Sequence, residues 1–354
     1  MKPDAKRILL TGHLGYIGSA MSAYLADRGY AVTGVDTGFF EKCLFTKSRP
    51  PASETLIDIR ELSAKNLEGF HAVVHLAALS NDPIGNLDPQ WTRDINELAT
   101  ANLARHAREA GVSRFLFSSS CIMYGGAGES ETPVDENSAL DPRTEYARSK
   151  VRAEIGLSQL ASASFSPVFL RNGTVYGISP HMRFDTVLNS LAGAAVASGR
   201  VKVLSDGTPW RPVVHLDDVC AAFHAVLEAP REAIHKEAFN VGADFTNIRI
   251  GTLAHLVGEA SGATVETRSE PDADQRTYRT SFAKIRDRVP AFRPKWTPQD
   301  GAQHLVEAFR ELLLNDATLA SPRFTRLRWL RRLLDTGLLD GNLRWNSARE
   351  AAAS

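Results

Sequence analysis

Short, nearly continuous apolar runs alternate along the chain with longer stretches that repeat at helical spacing. The first run, Ile8-Leu9-Leu10, ends in a glycine-rich turn. A helical pattern follows with Ala20, Tyr24 and Leu25 on its apolar side, and Gly29 stops it. Residues 31–35 form the next run and end at Asp36; Leu56-Ile57 leads into Asp58-Ile59; residues 72–76 and Phe115-Leu116-Phe117 repeat the style. Between the last two lies a long helical pattern over residues 90–110, ended by Gly111. Strands apolar on both faces and separated by helices predict a parallel sheet covered on both sides. Ligands of such sheets sit beyond the strand carboxyl ends, where Gly12, Asp36, Asp58, Ala77-Ala78 and Ser118-Ser119-Ser120 fall.

The pattern changes near Ile178. A helix is expected around residues 185–197, then a hairpin-like stretch over 201–214 with Asp206-Gly207-Thr208-Pro209 as its turn, and residues 238–242 read as a strand returning to the sheet. The expected fold is α/β: a Rossmann-type doubly wound parallel sheet (1–177 and 214–245) with a smaller, discontinuous substrate-binding lobe (178–213 and 246–315). A basic C-terminal extension (316–354) carries five arginines between 321 and 332 and is read as packing through Trp329 and Leu330.

Gly12-x-x-Gly15-x-x-Gly18 supplies a tight turn, a close approach for a pyrophosphate and a close helix-strand contact. Asp36 ends the following strand, 18 positions past Gly18. Its carboxylate would accept hydrogen bonds from ribose hydroxyls and repel a 2′-phosphate, and no arginine follows it directly. The expected cofactor is therefore NAD.

Composition narrows the partners. Forty-one basic and 41 acidic residues in 354 leave no global field for nucleic acid or a membrane surface. Three scattered cysteines suit neither a disulfide framework nor a metal site, and no apolar run spans a bilayer. A cytoplasmic enzyme of small-molecule chemistry is expected.

Tyr146 and Lys150 stand four apart at the start of a helical pattern, on one face. A tyrosine with an ordinary pKa near 10 is a poor base at neutral pH, and a nearby ammonium would favour its phenolate.

These motifs carry a family resemblance. Gly12-x-x-Gly15-Tyr16-Ile17-Gly18, His75-Leu76-Ala77-Ala78, Ser118-Ser119-Ser120 with Tyr124-Gly125, Tyr146-x-x-x-Lys150, Leu170-Arg171 with Tyr176-Gly177, and Arg211-Pro212-Val213-Val214-His215 resemble the extended short-chain dehydrogenase/reductases, specifically the nucleotide-sugar epimerase/dehydratase group. The resemblance covers about residues 7–315. It implies Tyr146 as base or acid at a sugar hydroxyl, Lys150 on the nicotinamide ribose, and Ser120 on the same sugar oxygen. Cofactor contacts are implied for Tyr16, Ile17, Leu76, Ala77, Ala78 and Ser118, with Asp58 and Ile59 at the adenine and Asn96 near the catalytic tyrosine. Substrate contacts are implied for Ser80, Asn81, Thr174 and Arg211, with Arg276 a further candidate. A homodimer through a two-helix face is also implied.

The reaction is narrowed by what is missing. The group's 4,6-dehydratases carry an Asp-Glu pair directly after the hydroxyl residue, because eliminating water needs an added acid and base; here Cys121 and Ile122 stand there. Thr174 replaces the asparagine of the usual Leu-Arg-x-x-Asn, and Ser80 replaces a lysine found in UDP-galactose 4-epimerases. The expectation is an NAD-dependent epimerase of a nucleotide-diphosphate sugar, oxidised transiently at C4. The alternatives are a reductase of a 4-keto nucleotide sugar and a non-catalytic dinucleotide-binding regulatory protein. Cys121 and His181 are a candidate second acid/base pair.

Overall fold

The computed structural model describes residues 5–125, 132–268, 270 and 276–346, so Asp274 and Gln275 beside Arg276, the last eight residues of the extension and the first four of the chain lie outside it. Its strands are β1 (Arg7–Thr11), β2 (Ala31–Asp36), β3 (Ser53–Leu56), β4 (Ala72–His75), β5 (Arg114–Ser120), β6 (Ser166–Asn172), β7 (Thr174–Tyr176), β8 (Arg200–Val203), β9 (Trp210–His215), β10 (Ala238–Val241), β11 (Asn247–Arg249) and β12 (Thr264–Thr267). Seven of them form one parallel sheet in the order β10-β6-β5-β4-β1-β2-β3. The chain winds outward from β1 to β3, then returns to β4 on the other side of β1. That reversal opens a crevice at the carboxyl ends of β1 and β4. Thr11 is in register with both Val35 and His75, so Gly12, Asp36 and Leu76 emerge at one level.

The apolar runs of the inner strands are explained by two buried faces. Leu9, Val73, Phe115 and Phe117 pack against α2 (Thr100–Glu109) and α3 (Glu145–Gln159). Ile8, Leu10, Val74 and Leu116 face the opposite side with Met21 and Leu25 of α1 (Tyr16–Asp27) and Val219 and Phe223 of a helix over Leu216–Glu228. The pattern expected over 90–110 is one continuous rod whose middle, Arg93–Ala99, is π-helical. The wider turn falls where Asn96 faces Leu79.

The expected hairpin over 201–214 does not form. β8 pairs in parallel with β12, while β9 sits between β7 and β11 in a separate three-stranded sheet. The Asp206-Gly207 turn is real, but non-local partners offer each strand a better apolar seat. Val201 and Val203 join Leu188, Leu253 and Phe309 in a core of their own.

The C-terminal extension is part of the fold. Its helix, Arg326–Asp335, buries Trp329, Leu330 and Leu333 against Phe39, Ile84 and Ile95. Trp329 Nε1 donates to the Phe39 carbonyl and Trp345 Nε1 to the Thr37 carbonyl, each at 2.6 Å. Among the described residues no helix is long and apolar enough to cross a membrane, and no group of His, Cys, Asp or Glu could hold a metal ion.

Candidate active site

The glycine turn is a cradle that side chains would fill. Gly12 has φ of 76°, and a Cβ there would lie 2.7 Å from the Ala77 nitrogen; a Cβ on Gly18 would lie 2.0 Å from the Gly12 carbonyl oxygen. Gly15 then caps α1, whose first residues are Tyr16 and Ile17. A helix N-terminus facing an open turn suits a diphosphate, through its amides and the positive end of the helix dipole. The Asp36 carboxylate accepts from the Leu14 and Gly38 amides at 3.0 and 2.9 Å, and burial pushes its pKa above the ordinary carboxylate value.

These residues line one cleft, open to solvent, with a cavity volume of about 130 Å³. Gly12, Gly15, Gly18, Tyr16 and Ile17 form one wall and Leu76, Ala77 and Ala78 another. Asp36, Asp58 and Ile59 stand at the far end. Asp58 is also tied down by Arg60 at 2.7 Å and Arg344 at 3.3 Å. The donors, the acidic ribose partner and the glycine cradle together fit NAD.

Asn96 lies beside the helix of the catalytic tyrosine, where the resemblance implied it. It lines neither cleft and is almost fully enclosed, accepting from the Leu79 amide at 2.9 Å and donating to the Leu79 carbonyl and to Ser149 Oγ. Ser149 Oγ in turn donates to the Tyr146 carbonyl at 2.7 Å. Asn96 thus holds the tyrosine's helix in place through Ser149.

A second cleft, with a cavity volume of about 600 Å³, opens from the first past Tyr16, Ile17, Leu76, Ala78 and Ser80. Helix α3 delivers Tyr146 and Lys150 to it. Thr144 caps that helix, accepting from the Ala147 amide at 3.2 Å and donating to Asp82 at 2.6 Å. Ser118 and Ser120, at the end of β5, line the same cleft, and the Ser120 hydroxyl favours the ionised Tyr146 phenol. Lys150 Nζ donates to the Ser118 carbonyl at 2.7 Å and lies 5.7 Å from the centre of the Tyr146 ring.

Burial, and then Asp82, push the Tyr146 phenol up to about 12. Burial also lowers Lys150 to about 7. Both groups are desolvated together, and each loses water that would stabilise its charge.

All six expected substrate residues, Ser80, Asn81, Ser120, Thr174, Arg211 and Arg276, line the second cleft. Arg276 pairs with Asp82 at 2.9 Å. Arg211 donates to the carbonyls of Trp210 and Arg276 and lies 5.8 Å from the Tyr278 ring centre. The sequence reading missed Arg183, which lines both clefts and is 9% exposed. It donates to Asp185 at 2.8 Å and to Ser80 at 3.1 Å. Its one local signal was an arginine two positions before an acid, between Met182 and Phe184.

Cys121 and His181 are not a pair. Cys121 donates to the Arg171 carbonyl at 3.1 Å among Tyr124, Val134 and Tyr278, and burial pushes its thiol up to about 12. Burial and the charge of Arg326 lower His181 to about 4. Neither lines a cleft.

A switch-point dinucleotide cleft joined to a tyrosine-lysine-serine cleft defines a class of nucleotide-dependent oxidoreductases and isomerases. The chain belongs to the NAD dependent epimerase/dehydratase family, whose model matches residues 8–242. UDP-glucose 4-epimerase of Mycolicibacterium smegmatis is 27% identical over 86% of this chain and 98% of its own. The dTDP-D-glucose 4,6-dehydratase of Mus musculus is 26% identical over 87% and 89%. A solved structure of MoeE5 in complex with UDP-glucuronic acid and NAD is 25% identical, with a TM-score of 0.74 over 86% of this chain and 99% of that one.

Proposed function

We propose that this protein is an NAD-dependent epimerase that inverts C4 of a nucleotide-diphosphate sugar. The observation that carries the reading is the wall around Tyr146. Ile122, not a carboxylate, lines the sugar cleft after Ser120, and Cys121 is turned into the core. The acids lining that cleft among the described residues, Asp82 and Asp185, are held in ion pairs with Arg276 and Arg183. Proton traffic therefore falls to Tyr146, with Ser120 holding the same sugar oxygen. Bound NAD supplies the acceptor and donor of a hydride at C4. Tyr146 takes the hydroxyl proton as C4 is oxidised and returns it when the ketone is reduced on its other face. Lys150 holds the nicotinamide ribose and adds positive charge beside the phenol. Arg211, with Arg183 and Arg276, offers guanidinium forks to the substrate diphosphate.

Leu98 and Ile155 are exposed on the side of the π-helical segment and α3, which supports a homodimer through these helices. A glutamate at Ile155 should turn a dimer into a monomer in light scattering.

The test is mass spectrometry and NMR on UDP-, GDP-, CDP- and dTDP-hexoses incubated with catalytic NAD in deuterated water. Inverted C4 at constant mass, without solvent deuterium, is the expected result. Loss of water, uptake of deuterium at carbon, or a requirement for stoichiometric reduced cofactor would each overturn it.

A further inference from the structure

The helix Arg326–Asp335 lies well past residue 242, where the family match ends, yet its first residue enters the cofactor cleft. Arg326 is 2% exposed. Its guanidinium lies 4.3 Å from the centre of the Phe40 ring, and Nη2 donates to the His181 carbonyl at 3.0 Å. Nη1 is buried and has no hydrogen-bond partner. None of the ion pairs among the described residues includes this side chain. The two nearby carboxylates are already engaged: Asp185 by Arg183, Asn81 and the backbone amide of Arg326 itself, Asp36 by the amides of Leu14 and Gly38. Burial and the charge of Arg183 push the guanidinium down to about 10, so it stays cationic at neutral pH.

A buried cation with an unsatisfied donor is costly unless an anion meets it. The cleft it lines with the glycine turn is built for a dinucleotide, whose anionic part is the diphosphate. We propose that Arg326 is a cofactor-binding residue, donating from Nη1 to a diphosphate oxygen held over Gly12, Gly15 and the start of α1. Arg326 lines the first cleft and not the second, which separates it from the sugar-nucleotide side. The C-terminal extension thereby supplies part of the lining of this cleft. The inference rests on reading the first cleft as the NAD site and is independent of which sugar reaction follows.

The test is binding, without sugar substrate, on the full-length chain. Affinities for NADH, ADP-ribose and adenosine are measured by calorimetry and competition for wild type, Arg326→Met and Arg326→Lys. Arg326→Met should weaken NADH and ADP-ribose about tenfold or more while leaving adenosine unchanged, because one charge-assisted hydrogen bond to phosphate is lost. Arg326→Lys should recover part of that loss. Unchanged NADH affinity would overturn the proposal, and so would an equal loss for adenosine, which would mean that the arginine only shapes the cleft. If Arg326→Met does not fold, a crystal structure of the wild-type protein with NAD decides. Nη1 within about 3.2 Å of a diphosphate oxygen supports the assignment, and a longer separation from all of them overturns it.

Discussion

Arg171 and Glu154 form a two-pronged ion pair beneath the active site, with Nη2 to Oε2 at 2.7 Å and Nε to Oε1 at 3.1 Å, both side chains buried. Arg171 stands on β6 and Glu154 on α3, one turn past Lys150. Arg171 Nη1 also reaches the Tyr124 hydroxyl at 2.9 Å. The pair fixes the helix that carries Tyr146 against the strand beside Ser120.

Removing one partner leaves the other charged and buried. Arg171→Met should cost about 3–5 kcal/mol in urea unfolding, and the double variant Arg171→Met/Glu154→Met should regain much of it. A double variant no more stable than the single would sink this account.

Tyr146→Phe should lower kcat by roughly 10²–10⁴-fold, the usual worth of a positioned proton carrier. NADH affinity, read by fluorescence titration, should not change. Lys150→Met should lower both, because that side chain is assigned to the cofactor ribose as well.

Two glycines should respond oppositely to alanine. At Gly18 a Cβ would stand 2.0 Å from the Gly12 carbonyl oxygen, so Gly18→Ala should abolish NADH binding. Gly156 lies inside α3 with open space around it, and Gly156→Ala should stabilise the fold by about 0.5–1 kcal/mol. Thermal unfolding and NADH titration separate the two effects.

Acid should destabilise the protein from below pH 6.5. Burial lowers His75 to about 3, His181 to about 4 and His215 to about 3, so between those values and 6.5 the unfolded chain binds protons that the fold excludes. Stability then falls as pH falls, by up to roughly 1.4 kcal/mol per pH unit for each histidine. Urea midpoints should fall from pH 8 to 7 as the folded protein fails to protonate Lys150, held at about 7, and fall again below 6.5 as the unfolded chain protonates the histidines. His75→Gln should shallow the decline, and an unchanged slope would remove His75 from the explanation.

Much of the first domain was legible because its signals are local. The inner strands are apolar on both faces, so they read as continuous runs, and the glycine spacing is dictated by backbone contacts within one turn. The tyrosine and lysine share a helix face by spacing alone. The hairpin over 201–214 was misread because local turn chemistry is silent about partners: β8 found β12, 64 positions on from Arg200 at Thr264.

The side-chain electrostatics and the long-range additions lay beyond such reading. A π-helical turn aims Asn96 at Leu79, and β5 ends by turning Cys121 inward. Arg183 and Arg326 stand 143 positions apart and meet at one cleft. The sequence by itself determined the parallel sheet, the glycine cradle and the Tyr146-Lys150-Ser120 set, since each depends on periodicity or spacing within a few residues. Only the tertiary structure decided which charges are buried, which are paired and which face the cofactor, because desolvation and ion pairing depend on segments that sequence distance does not connect.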